Sequence, residues 1–508
     1  MSSQQQLAEA RELLRTGWYD EALARLDGCE EWKPPLNTQA IVLRAEAQLR
    51  RDPIDALESL ARTSHAFESR EALIDYYIIS SKAYANSRNV ESAHQMLDLA
   101  EELAVSQPER KCEIAHHRVR ARYIGGIYDL EDPDLARALT NRDPAARFLT
   151  LVIRSWLSAE AGDYRAQITD LRECVALARE HLSTVDYYTL GRALYSLIRI
   201  ASELGDADAV DDADALYEQI EWTPDLRDAQ FLCVRAFSWD AFLRGDSARA
   251  QWLFRDSKAL APTDAWKVMA HVDRAYVARI NRNEAWALEE LAQAQELART
   301  ISWSESVGEE RQVLVALAGL LAPVDMAAAQ RFVSTYTKIG TQSMDPTLAI
   351  THDRRGEAYS QYAIGRVHQV LRNVAAATAA YERAYDIFEG AGHHFRAALA
   401  AQGLSEVTNS ETWAERARRH AEYFPKSAFY QFLTQSVSRK TELSMDGLSP
   451  LQRQLALALC AGLEVPALSQ RFSRSEFTIK REVRTVYDRL GVQTRKALRE
   501  LLEERGIV

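Results

Sequence analysis

Residues Tyr362–Phe388 read YAIGRVHQVLRNVAAATAAYERAYDIF, and this stretch decides the fold. Apolar and small residues recur on one face of each half at helical spacing, and Arg372-Asn373 interrupts them, which predicts two amphipathic helices joined by a tight turn. Small residues stand where the two helices would touch: Gly365 in the first, Ala377 and Ala384 in the second. They let the backbones approach closely, and the aromatic Tyr381 between them fills the gap to the next pair.

The same sentence repeats along the chain. Its turns align at TGWYDEALARL (Thr16), AGDYRAQITDL (Ala161), LGDADAVDDAD (Leu204), RGDSARAQWLF (Arg244), NRNEAWALEEL (Asn281) and LRNVAAATAAY (Leu371). With Asp163, Asp206, Asp246, Asn283 and Asn373 taken as equivalent, neighbouring turns lie about 37 to 43 residues apart, and a further turn near Asp325 fills the last gap. The period predicts nine to eleven helical hairpins between Ser3 and about Phe432. Gly365, Ala377, Tyr381 and Ala384, with Gly17, Tyr19 and Ala22 in the first copy, resemble the tetratricopeptide repeat, although the repeats here are longer. That resemblance implies an all-α, tetratricopeptide-like superhelix whose concave side, lined by the first helix of each pair, binds a partner.

Tyr76, Arg120, Arg154, Tyr188, Arg192, Tyr195, Arg235 and Arg274 fall on these first helices and are the candidate groove residues for an anionic or peptidic effector. The alternative is that the tyrosines fill helix interfaces and the arginines solvate outer faces.

A second unit is legible between Leu448 and Leu498. Ile479, Val483, Val486 and Leu490 form an apolar stripe, and Lys480, Arg481 and Arg484 fall on the opposite face. Ser475 is placed as N-cap and Gly491 as the left-handed closing residue, so the N-terminal turns of this helix would face a major groove. Four helices are expected. The first opens on a Ser449-Pro450-x-Gln452 capping box, a short second runs Pro466–Phe472, the third Glu476–Leu490, and the fourth, capped by Thr494 and closed by Gly506, Arg495–Glu504. Between Ser449 and Arg499, ten Lys/Arg stand against four Asp/Glu, a net +6 within a chain of net −11, so the remainder carries −17. A basic head on an acidic body suits a DNA-binding module joined to a sensor or interaction module.

Leu448-Ser449, Gly462-Leu463, Ser475-Glu476-x-Thr478-Ile479-Lys480 and Leu490-Gly491-Val492-x-Thr494-Arg495 together resemble the DNA-binding domain of the LuxR/NarL/FixJ family. The resemblance implies a helix-turn-helix that binds double-stranded DNA as a homodimer, with the Lys480 helix as reader. It assigns DNA contacts to Thr478, Lys480, Arg481, Arg484, Thr494 and Arg495. The chain departs from the family at Glu464-Val465-Pro466-Ala467, which lack its usual cap and phosphate-binding group, at Glu482 where a histidine is common, and at Thr485 where an asparagine is common. Arg471 and Arg474 could bind phosphate in place of the group missing at 464–467. A carboxylate at 482 would repel phosphate unless it accepts from a cytosine amine.

The order of the two units is similar to the C-terminal half of MalT-like activators without their ATPase. It implies a bacterial transcription regulator: a body (1–435) that binds a peptide, small-molecule or protein effector, a linker (436–447) and a LuxR-type head (448–508), with RNA polymerase a further partner. The competing reading is an interaction scaffold whose head only dimerises. No nucleotide-binding loop, nucleophile motif or metal-ligand spacing is present, so neither an enzyme, a cofactor nor a metal is expected. Five scattered cysteines, the absence of a ~20-residue apolar run, and an N-terminus without signal-peptide character predict a cytoplasmic protein without membrane contact.

Overall fold

The computed structural model describes residues 2–303, 309–342, 354–434, 448–472 and 474–504, and the described residues are helical with no strand. The chain divides into two compact units, Met1–Tyr430 and Gln431–Val508. The linker expected at 436–447 and the closing Gly506 lie outside the described residues.

The body is a run of helix pairs. In order they are α1 (Ser3–Thr16) and α2 (Tyr19–Arg25), α3 (Leu36–Leu49) and α4 (Pro53–Thr63), α5 (Arg70–Asn86) and α6 (Val90–Leu103), and α7 (Pro108–Ile124) and α8 (Pro133–Ala138). There follow α9 (Pro144–Ala161) and α10 (Tyr164–Glu180), α11 (Tyr187–Leu204) and α12 (Ala207–Tyr217), α13 (Arg227–Arg244) and α14 (Ser247–Leu260), and α15 (Asp264–Ile280) and α16 (Glu284–Thr300). The last three are α17 (Glu309–Leu321) and α18 (Met326–Gln342), α19 (Arg354–Val370) and α20 (Val374–Gly390), and α21 (His394–Thr408) and α22 (Glu411–Ala421). Each helix packs on its partner, and neighbouring pairs pack on one another.

One corner recurs between the two helices of a pair. A left-handed residue ends the first helix, at Gly162, Gly205, Gly245, Arg88, Arg282 and Arg372. The following Asp or Asn then serves both helices. Its backbone N–H donates to the carbonyl five residues back, as Asp163 does to Ser158 at 2.8 Å and Asn373 to His368 at 3.0 Å, closing the first helix. Its side chain accepts from the backbone N–H three residues on, Ala166 at 3.0 Å and Ala376 at 3.3 Å in the same two corners, opening the second. Asp325 caps its helix in the same way, accepting from Ala328 at 2.9 Å. These are the Asp and Asn positions that set the repeat period.

Tyr381 is fully buried, and its hydroxyl donates to Gln369 Oε1 at 2.7 Å. Glycines flank its ring: a methyl group at Gly365 of α19 would sit 2.7 Å from a ring carbon, and one at Gly403 of α21 2.6 Å. The small residues thus admit the aromatic ring that joins α19, α20 and α21.

The body also returns on itself around α11. At its N-terminal end, Arg15 donates to the carbonyls of Leu182 (2.9 Å) and Val185 (3.3 Å), the Thr223 hydroxyl donates to the Gly17 carbonyl (2.7 Å), and the Tyr19 N–H donates to Asp225 (2.9 Å). At its C-terminal end, His393 Nδ1 lies 2.7 Å from Glu203 Oε2, and Tyr164 packs on the His393 ring with centroids 4.1 Å apart. The first and eleventh pairs therefore grip the two ends of one helix near the middle of the chain.

In the second unit α23 (Pro450–Cys460), α24 (Val465–Arg471), α25 (Glu476–Leu490) and α26 (Arg495–Glu504) enclose a core of Leu455, Ala456, Leu459, Leu468, Ile479, Val486, Leu498 and Leu502. The Ser449–Gln452 capping box forms in both directions, at 3.2 and 3.0 Å. No helix among the described residues is long and apolar enough to cross a membrane.

Candidate nucleic-acid interface and inner cluster

The face of α25 follows from its period. Ile479 and Val486 are buried, Val483 and Leu490 pack against the same core, and the residues between them are turned outward. The Lys480 and Arg481 side chains are 65% and 69% exposed, and Arg484 is exposed as well. Ser475 caps the helix by accepting from the Thr478 N–H at 3.2 Å, and Gly491 closes it at φ 68°. Lys480 lies 3.8 Å from Glu476, one turn away on the surface, a pair that solvent leaves weak. Arg484 makes no ion pair with a described residue. Arg471, which lies over the Phe472 ring, and Arg474 are exposed just before α25.

Two of the expected DNA contacts, Arg495 and Thr494, also do structural work. Arg495 donates to the Leu459 carbonyl at 2.6 Å and to Glu464 at 2.8 Å, tying the start of α26 to the end of α23. The Thr494 hydroxyl caps α26, accepting from Ala497 at 3.1 Å. Glu482 is held from two sides. One of its oxygens accepts from Gln452 Nε2 at 2.7 Å, the other lies 3.8 Å from Arg481, and the side chain is 20% exposed, so the carboxylate sits between the capping box of α23 and the cationic face. Sequence reasoning missed Phe477, which stands 78% exposed in the first turn of α25. Its signal is an aromatic residue off the apolar stripe of its own helix.

The groove residues of the body separate into two groups. Arg154 donates to both oxygens of Asp170 (2.9 and 2.5 Å) within its own pair. Arg274 lies 2.8 Å from Glu290 and over the Trp286 ring within its own pair. Arg235 donates to Asp273 at 2.5 and 3.1 Å, bridging α13 and α15. Tyr76 packs against Phe67, centroids 4.9 Å apart, on the core of the first pairs. These side chains hold helices together.

Tyr188, Arg192 and Tyr195 instead share one face of α11, with Arg199 one turn further on. Tyr195 itself is buried, and the Arg192 and Arg199 guanidinium groups lie 6.0 and 5.5 Å from its ring. Near the N-terminal end of this face the Tyr188 hydroxyl donates to Asp228 at 3.2 Å, and Arg50 lies 4.5 Å over the Tyr188 ring while donating to Asp186 at 3.1 Å. Burial raises the Tyr188 phenol above its ordinary range, and Asp228 adds to this. Arg120, on α7, reaches the same place. Burial, and then the neighbouring charge of Arg50, pull its guanidinium down to about 10. Arg50 carried no sequence signal, because it ends a helix in a charged run and reads as surface.

No protein-family model matches the chain, and no curated protein matches it.

Proposed function

We propose that the chain is a bacterial transcription regulator, with a LuxR-type helix-turn-helix head that reads double-stranded DNA as a homodimer and a tetratricopeptide-like body that receives the controlling effector. The observation that carries this reading is the outward face of α25, where Lys480, Arg481 and Arg484 stand exposed over a helix whose opposite face is fixed in a core. Such a helix end neutralises phosphate and brings side chains to base edges in a major groove. Two heads bound to adjacent half-sites would lie about one DNA turn apart, so an effector that alters the body can act by changing whether both reach the DNA.

The test is fluorescence anisotropy of the purified full chain on genomic DNA fragments across a salt series. Binding should weaken with a negative slope of log affinity against log salt. Charge reversal at Lys480 and Arg484 together should abolish binding while the circular dichroism spectrum of the chain is unchanged. A wild-type chain without salt-dependent affinity would leave the head as a dimerising module on an interaction scaffold.

A further inference from the structure

We propose that Phe477 is a specificity-determining residue of the head, selecting thymine by apolar contact with its 5-methyl group in the DNA major groove. This role rests on the DNA-reading head proposed above and adds to it the base that the head prefers.

Phe477 is 78% exposed, the largest fraction among the large apolar side chains of the described residues, and in the head the next is Leu457 at 38%. The head can take in such a ring, since Phe472, five residues earlier, packs against its core. Register keeps Phe477 out. Ile479, Val483, Val486 and Leu490 mark the side of α25 that meets the core, and at about 3.6 residues per turn position 477 falls nearly opposite them. Lys480, Arg481 and Arg484 stand three, four and seven residues further on, which is the same face as Phe477. The ring therefore stands in the first turn of α25 at the head of a stripe of exposed cations.

A single exposed apolar residue needs no partner by itself, but here the cations around it choose the occupant. A second copy of the head meeting this face with its own would set like charges against like, which costs affinity. Duplex DNA matches the charge, and its major groove admits a helix.

Within that groove the ring has one suitable target. It carries no charge and no N–H or O–H group, so it neither neutralises phosphate nor bonds a polar base edge. Contacts to phosphate fix the register of a reading helix and carry no base identity, whereas the residues of its N-terminal turn reach the bases. Thymine presents a methyl group in the major groove, where cytosine presents an amine and the purines present polar edges. An apolar ring at this place favours thymine over the other three.

The test uses the full chain. Wild type selects sites from random duplexes, and each thymine of the selected site is replaced in turn by uracil, which keeps the base pair and the phosphates and lacks only the methyl group. Fluorescence anisotropy should show wild type losing about three- to fivefold in affinity at one or more of these positions, the worth of one buried methyl group. There Phe477→Ala should bind thymine and uracil DNA alike, with the salt slope of wild type, because no phosphate contact is lost. Phe477→Leu should keep part of the discrimination. The unfolding midpoint of Phe477→Ala should match that of wild type, since a ring this exposed takes no part in the core. Equal sensitivity to uracil in wild type and Phe477→Ala, no sensitivity in wild type, or a lowered midpoint in Phe477→Ala would overturn the role of Phe477 and leave the head a DNA binder. Absence of salt-dependent binding by wild type is the separate failure of the DNA-reading head, and this role falls with it.

Discussion

His393 Nδ1 lies 2.7 Å from Glu203 Oε2, joining the start of the eleventh helix pair to the last turn of α11. Burial alone would raise the Glu203 carboxyl, but His393, Arg396 and Arg199 overcome it and bring it down to about 2. A carboxylate depressed in the folded state contributes stability that is fully present above its unfolded value of 4.5 and is lost as pH falls through its folded value. Urea unfolding should therefore find wild type more stable than Glu203→Gln at pH 5, and the difference should shrink as the pH falls below 4.5. A difference independent of pH across that range would show that the carboxylate charge plays no part.

His116 titrates in a higher window. Burial, and then Arg120 and Lys82, bring its ring down to about 3, and Thr150 Oγ1 lies 3.2 Å from its Nδ1. A base held neutral in the fold supplies stability that is present above its unfolded value of 6.5 and is lost as pH falls toward its folded value. At pH 5 that loss is about 2 kcal/mol, and His116→Gln should remove this part of the acid sensitivity in urea unfolding at pH 7 and 5.

The ring of Tyr381 leaves no room beside Gly403, where an added methyl would stand 2.6 Å from the phenol carbon. Gly403→Ala should lose about 1–3 kcal/mol by overpacking, measured by chemical denaturation. Tyr381→Leu in the same background should recover part of that loss.

Three corners of the repeat place arginine where others have glycine, with φ 61° at Arg88, 60° at Arg282 and 56° at Arg372. A left-handed residue with a side chain costs about 1–2 kcal/mol, and glycine gives back part of the gain through the unfolded chain. Arg88→Gly and Arg372→Gly, both at exposed positions, should each stabilise the body by about 0.5 kcal/mol in denaturant titrations.

In the head, Arg484 and Arg495 should separate by the salt dependence of DNA binding. Arg484→Ala should reduce the salt slope by about one counterion. Arg495→Ala should leave the slope unchanged and lower the unfolding midpoint of the head, because its guanidinium is spent on Leu459 and Glu464.

What the sequence made legible was local. The Asp and Asn corners, the Ser449–Gln452 box and the stripe of α25 are each written within a few residues, and periodicity carries them. Gly365 and Tyr381 were legible as a pair because the helices they join are consecutive. The return of the body onto α11 was not, since Gly17 and Thr223 are 206 residues apart and neither type announces a partner at that range. The holds of Gln452 on Glu482 and of Arg495 on Leu459 and Glu464 were not legible, because neither period nor motif shows which neighbour a side chain reaches. Arg50 meets Tyr188 and Asp186 only through that return, so no spacing in the sequence relates them.

The two grips on α11 bear on how the body comes apart. A linear run of repeats frays from its termini, each pair lost at the cost of a single neighbour. Here the opening pair is fastened to the loops around α11 and the closing pair to Glu203, so neither terminus is an open end. Unzipping must begin by breaking a long-range joint. Slow amide exchange in α1 and α21, comparable with that of α11, is its expected signature, and the body then behaves as one cooperative unit whose parts melt together.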